Sequence, residues 1–402
     1  MKITNIRIRQ LEGSMVRATT GAYMEERVRR PLDIFPEFRA QNEDNIGAVP
    51  ANLGGGRYKV TRSFVQVDTD EGVSGLGGPI SDNNARFYID TQLRPLLTGR
   101  DPTSNELLWD IMYRNAVNGR KGDNMIAISY VDCALWDLKG KWLGKPVCKL
   151  LGGPVQDKIP VYASMSGYSL EPDKVRERMK EVIAQGYTAA KWFMRLGPQD
   201  GPEGLNKIVE IAKVARETAG PNFKLMMDAW NSWDVPFTLR VAERIAEYDF
   251  SWIEEPLMPD MYEAYSRLTA ESPVPISAGE HEYTRWGFKR MMDMHAVDVY
   301  QPDPAWCGGI TEAVKICTLA SAYGFPTPLH ASLPNAVVHI SFAQNSVVCP
   351  IMEYLPLRSS AGQHFFKEPV KPVNGYVYPP TMNGLYDLDP AKIENEREIT
   401  FR

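Results

Sequence analysis

The chain has 402 residues, 44% hydrophobic and 24% charged, with a formal net charge of −5. That is enough for two domains and a large core, in the composition range of soluble globular proteins. No basic stripe argues for nucleic acid, no apolar run approaches the ~18 residues of a membrane span, and the five scattered cysteines (Cys133, Cys148, Cys307, Cys317, Cys349) read as reduced core residues.

Met1-Lys2-Ile3-Thr4 leads into an alternating strand pattern and not into a signal-peptide core, so a cytoplasmic location is expected. Residues 1 to about 75 read as antiparallel strands: one starts at Ile3, Ile6 and Ile8, a second covers 63–72, and a return strand covers 73–77. Between them, roughly 15 to 57, lies a long segment carrying Tyr23, Arg27, Arg29, Arg30, Arg39 and the loop Gly54-Gly55-Gly56-Arg57. Structureless loops of that length are rare unless they are lids or binding loops, and a lid is expected here. Residues 83–150 are mostly helical, with apolar residues at helical spacing over 124–141 and a short helix closed by Gly152-Gly153.

From Ile159 strand and helix alternate. Strands are expected near 160–164, 189–193, 224–228, 250–255, 276–280, 298–303, 325–330 and 349–354. The helices between them include 175–185, 204–218, 235–248 and 310–323. Repeated strand–helix units imply a parallel sheet, and eight strands in about 200 residues fit a closed barrel. No phosphate-cradling glycine motif follows an early strand. The fold class is therefore α/β: a modified TIM (β/α)-barrel with an N-terminal α+β capping domain completed by the C-terminal tail. The expected division is 1–150 for the capping domain, 151–356 for the barrel and 357–402 for a tail that packs back on the cap.

The C-terminal strand ends of such a barrel form its site. Asp228, Glu254 and Glu280 end consecutive strands, 26 residues apart at each step. Three converging carboxylates repel unless a cation joins them, and oxygen ligands suit Mg²⁺. Ion pairing or helix capping is the ordinary explanation for one such acid, and a poor one for three. Glu255 competes with Glu254, because side chains alternate along a strand and only one of the two faces inward. Asp303 and His330 end the next two strands, where a carboxylate holding an imidazole makes a general base. Glu353, on the last strand, either donates to a developing oxyanion when protonated or only orders the rim. Lys191, ending the second strand, adds positive charge if it faces inward.

These residues resemble the enolase superfamily in its mandelate-racemase-like branch, and the resemblance covers nearly the whole chain. It is carried by Ala134-Leu135-Trp136-Asp137-Leu138-Lys139-Gly140-Lys141, the three carboxylates and the Asp–His pair. Asp228-Ala229-Trp230, Trp252-Ile253-Glu254-Glu255, Gly279-Glu280-His281 and Gln301-Pro302-Asp303 through Gly309 are most similar to the rhamnonate dehydratase group. The resemblance implies a Mg²⁺-stabilised enediolate formed by a His base. It also implies a sugar-acid substrate such as rhamnonate or lyxonate, with Tyr23, Arg195 and His281 as candidate substrate-binding residues. Where many relatives carry a second basic lysine, this chain has Phe193, which cannot move a proton. That favours elimination to a 2-keto-3-deoxy acid over epimerisation, racemisation or cycloisomerisation. A sugar-acid binder without catalysis is a weaker alternative, since binding needs no general base. Self-association into a homo-oligomer is expected from the Trp and Tyr content.

Overall fold

The computed structural model describes residues 1–17, 23–39 and 50–401. Thirteen strands occur among them: β1 (Ile3–Val16), β2 (Ala51–Gly54), β3 (Arg57–Thr69), β4 (Ser74–Ile80), β5 (Ile159–Ser164), β6 (Ala189–Phe193), β7 (Lys224–Asp228), β8 (Phe250–Glu254), β9 (Ile276–Ala278), β10 (Val299–Tyr300), β11 (Met352–Tyr354), β12 (Tyr376–Val377) and β13 (Asn395–Ile399).

The first four strands and β13 form an antiparallel sheet, ordered β13-β1-β3-β2 with β4 on β3. Ile6 and Ile8 of β1 are fully buried, as their alternation predicts. Part of the expected lid is a hairpin, because Gly54, Gly55 and Gly56 all take positive φ and turn β2 into β3. Residues 23–39 of it hold two short helical turns, Pro31–Ile34 and Pro36–Arg39, and positions 18–22 and 40–49 lie outside the described residues.

Helix Asp123–Leu143 packs on β4 and extends the expected 124–141 by two residues at its C-terminal end. Gly144, left-handed at φ 64°, stops it and gives its amide to Gly140 and Lys141. Close packing depends on β4 lacking side chains at two points. A Cβ on Gly75 would lie 2.1 Å from the Ala134 carbonyl, and one on Gly77 would lie 2.0 Å from that of Tyr130.

The barrel sheet runs β10-β9-β8-β7-β6-β5-β11, with every neighbouring pair parallel. Helices Pro172–Ala184, Gly201–Ala219, Val235–Ile245, Tyr262–Glu271, Thr284–Asp293 and Gly309–Tyr323 intervene. The strand expected at 325–330 is not a regular strand, since Pro326 and Pro328 have no N–H to give a ladder. The segment still bonds to β10 and to the chain leading into β11: Tyr300 N donates to Pro326 O at 3.1 Å, and Thr327 N to Val348 O at 2.6 Å. Pro302 ends β10 in the same way, and Gly279 ends β9 by its positive φ of 132°.

The tail returns as expected. β12 pairs with β5 and β13 with β1, while Phe366 and Tyr386 stack at 4.4 Å against Phe64. Among the described residues, no helix is long and apolar enough to cross a membrane, and all five cysteines are buried free thiols.

Candidate active site

The parallel register sets the rim. Phe193 pairs with Asp228, and Asp228 with Glu254, so consecutive strand ends meet at one level. The ladder continues past the strands through Ala229 N to Glu254 O (2.9 Å), Glu255 N to Ser277 O (2.9 Å) and Gln301 N to Ala278 O (3.0 Å). Asp228 and Glu254 are each 1% exposed, and Glu280 is 5%.

One oxygen of Asp228 and one of Glu254 are held by neighbouring donors. Trp230 N donates to Asp228 Oδ1 at 2.9 Å, and Trp252 Nε1 and Gln301 Nε2 donate to Glu254 Oε2 at 2.9 and 2.7 Å. The other oxygen of each faces the fully buried Lys191, whose ammonium lies 3.0 Å from Asp228 Oδ2, 3.1 Å from Glu353 Oε1 and against Glu254. Lys191 therefore points inward, as one of its two sequence readings had it.

Glu255 takes φ 42°, which turns it off the strand. It pairs instead with His281 Nδ1 at 2.8 Å and accepts from Asn231 Nδ2 at 2.8 Å. Glu280 lies 3.6 Å from His281 Nδ1 and 3.3 Å from His330 Nε2. His330 Nδ1 meets Asp303 Oδ2 at 2.5 Å, and Asp303 is in turn held by the amides of Ala305 and Ser332. Glu353 accepts from Ala331 N and sits 3.6 Å from His330 Nε2. The indole of Trp306 lies between the rings of His330 and His281, at 5.2 and 5.4 Å.

The electrostatics follow from burial. Burial pushes the Asp228 carboxyl well up and that of Glu280 to about 7. Burial opposes charge on His330, but Glu280, Glu353 and Asp303 outweigh it and hold the imidazole well above its ordinary value. Burial also works against the charge on Glu353, yet Lys191 and His330 overcome it and bring that carboxyl to about 2. Both of those charges favour the ionised form of Glu353.

The donor set fits a divalent cation. Asp228, Glu254 and Glu280 supply oxygens only, from adjacent strand ends, and all three are buried. The tightest group of ligand atoms among the described residues is a different one, Glu255, Glu280 and His281, all within 4.8 Å of one another. It contains a nitrogen donor and is already knit by the Glu255–His281 pair, so it suits Mg²⁺ less well.

A cavity of about 660 Å³ opens at this rim. Glu280, His330, Phe193, Trp230 and Trp306 line its barrel end, and Tyr23 is on its wall. Tyr23 donates to the Leu357 carbonyl at 2.7 Å. Arg195 and His281 are not on the cavity lining: Arg195 pairs with Glu26 at 2.6 Å, and His281 is taken up by Glu255. The other arginines of the N-terminal segment also have structural partners. Arg27 and Arg30 pair with buried Asp33, and Arg29 pairs with Asp200 at 2.9 Å. Trp306, Ser166 and Arg62 also line the cavity; Trp306 falls within the Gln301–Gly309 motif, whereas Arg62 lies in a strand whose pattern carries no chemical signal.

A parallel barrel with carboxylates on three successive strand ends and a His–Asp pair on the next two defines a class of metal-assisted proton-abstracting enzymes. The chain belongs to the mandelate racemase and muconate lactonizing enzyme family of the enolase superfamily. Residues 50–152 match the model of the mandelate racemase / muconate lactonizing enzyme N-terminal domain, and residues 174–387 match the enolase C-terminal domain-like model. It is 35% identical over 342 residues to L-rhamnonate dehydratase of Saccharopolyspora erythraea, covering 84% of this chain and 82% of that one. The structure of rhamnonate dehydratase from Gibberella zeae complexed with Mg is similar at TM-score 0.82 and 27% identity, covering 97% and 95% of the two chains. That of the 3,6-anhydro-D-galactonate cycloisomerase from Zobellia galactanivorans is similar at TM-score 0.75 and 28% identity, covering 98% and 100%.

Proposed function

We propose that the chain is a Mg²⁺-dependent acid-sugar dehydratase, a hydro-lyase that converts an aldonic acid into a 2-keto-3-deoxy acid. The observation that carries this reading is the His330–Asp303 pair set against the carboxylate rim, with Phe193 where a second base would stand. Asp228, Glu254 and Glu280 would hold the metal. When bound, the cation supplies the positive charge that makes a proton beside a carboxylate removable, which general-base help of roughly 10²–10⁴-fold alone does not.

Asp303 on Nδ1 leaves His330 Nε2 as the atom facing the substrate. Nε2 takes the proton from C2, and the electron pair forms the C2–C3 double bond as the 3-hydroxyl leaves. The imidazolium gives its proton to that hydroxyl, so water departs, and the enol tautomerises to the ketone. Lys191 adds fixed positive charge beside the substrate carboxylate.

A screen of stereochemically diverse aldonic acids, starting with L-rhamnonate and L-lyxonate, tests the reading through 2-keto-3-deoxy product. His330→Asn should lose at least about 10³-fold in kcat while Mg²⁺ still binds; an active variant would overturn the base assignment. Glu280→Gln should lose activity and Mg²⁺ together.

A second reading, epimerase or cycloisomerase through the same proton abstraction, is favoured by the Glu255–His281 pair, a second imidazole at the rim. Incubation in D₂O separates them, since exchange at C2 without loss of water supports the second. The division at residues 150 and 356, a cytoplasmic location and a homo-oligomeric state belong to the same proposal, and light scattering on the purified protein checks the last.

A further inference from the structure

The cavity has a second end, away from the metal-binding carboxylates, on the antiparallel sheet. Arg62 of β3 lines it. Its guanidinium donates to the neighbouring Thr61 carbonyl at 2.9 Å, and among the described residues no carboxylate lies within ion-pair distance. Arg86 lines the same cavity, donates to Ser63 Oγ at 2.9 Å and also has no carboxylate partner there. Only two acids are among the lining residues: Glu280, at the rim, and Asp82, which caps a helix by accepting from Asn84 and Ala85.

Removing a guanidinium from water without a counter-charge is costly, and burial lowers the pKa of Arg62 accordingly. Elsewhere the chain provides for its buried arginines: Arg27, Arg29 and Arg30 each reach an aspartate. Arg62, part-buried, departs from that pattern, as Arg86 does, and both line the cavity that opens at the rim.

We propose that Arg62 recognises the far end of the substrate and that this end is anionic, a second carboxylate or a phosphate ester. This rests on the dehydratase reading of the rim and narrows its substrate from an aldonic acid to an acid sugar with charge at both ends. L-rhamnonate, which ends in a methyl group, then ranks below such an acid.

The test uses the Mg²⁺-loaded protein and three acids of one configuration: an aldonate, the matching aldarate and the terminally phosphorylated aldonate. One of the two acids charged at both ends should have the highest kcat/KM, and which one identifies the anion. Arg62→Gln should lower kcat/KM for that acid about 30- to 100-fold, the loss of a charge-assisted hydrogen-bond pair, and for the aldonate less than about 3-fold. Arg62→Lys, which keeps the charge without the paired donors, should retain an intermediate value. An equal loss on all three acids, or a wild type that favours the aldonate, overturns the proposal while leaving the dehydratase reading intact. Should Arg62→Gln not fold, Arg62→Lys carries the same comparison. Calorimetric binding of the same acids is the independent readout. If none is dehydrated yet one of the acids charged at both ends binds in an Arg62-dependent way, the dehydratase reading falls while recognition of a distal anion by Arg62 stands.

Discussion

Glu254 and Glu255 are neighbours in sequence with opposite surroundings. Strand alternation showed that one of them faces inward but not which; the left-handed turn at Glu255 decides it. Glu254→Gln should therefore weaken Mg²⁺ binding at least 10-fold, whereas Glu255→Gln should leave it within about 3-fold, by calorimetry. Burial opposes the charge on His281, but Glu255 overcomes it and holds the ring at about 9. The Glu255→Gln variant should bring that value down, which an NMR titration reads; an unchanged His281 would sink the pairing. A second histidine sets an acid limit on stability. His339 is buried, accepts from Cys148 N at 2.9 Å, and is pushed by that burial from 6.5 to about 3. Its folded value is depressed, so the unfolded chain binds the proton first. The neutral ring's contribution is complete above about 6.5 and is lost as pH falls from there toward 3, by up to about 1.4 kcal/mol per pH unit. Urea unfolding of His339→Gln at pH 4 and 7 should show a smaller drop than the parent does. None of this was visible in the sequence, where His339 is one more residue on an apolar helix.

Helix Asp123–Leu143 shows what an element owes to its partner. Its apolar spacing was legible, and the structure reproduces it to within two residues. The need for glycine in β4 was not, because a strand pattern does not say what lies across from it. Gly77→Ala would set a Cβ 2.0 Å from the Tyr130 carbonyl, which is rigid helix backbone and cannot rotate away. The substitution should cost about 2 kcal/mol in urea unfolding. Strand lengths were overestimated toward the end of the barrel for a related reason. Apolar runs continue through Pro302, Pro326 and Pro328, but the ladder cannot, as proline has no N–H to donate.

Across the whole molecule, the capping sheet, the helix beneath it and the tail are tied at one buried acid. Asp137 accepts from Leu76 N and Leu385 N, both at 2.7 Å, and pairs with Lys141 at 2.7 Å. Asp137→Ala strands two buried amides and one ammonium and should cost about 3 kcal/mol or more. Because it loosens the cap and not the rim, KM for the acid sugar should rise more than kcat falls. Cavity shape is also a property at this scale: its walls come from residues as distant as Tyr23, Arg62, His330 and Tyr386.

The sequence by itself determined the barrel, the capping sheet and the polar strand ends, because periodicity and parallel register are local and additive. Only the tertiary structure decided which partner each polar group meets. Lys191 joins Asp228 and Glu254, Arg195 goes to Glu26, Glu353 meets Lys191, and Arg62 lines the cavity with no acid beside it among the described residues. These outcomes depend on burial and on contacts between residues far apart in the chain, and no local pattern carries either.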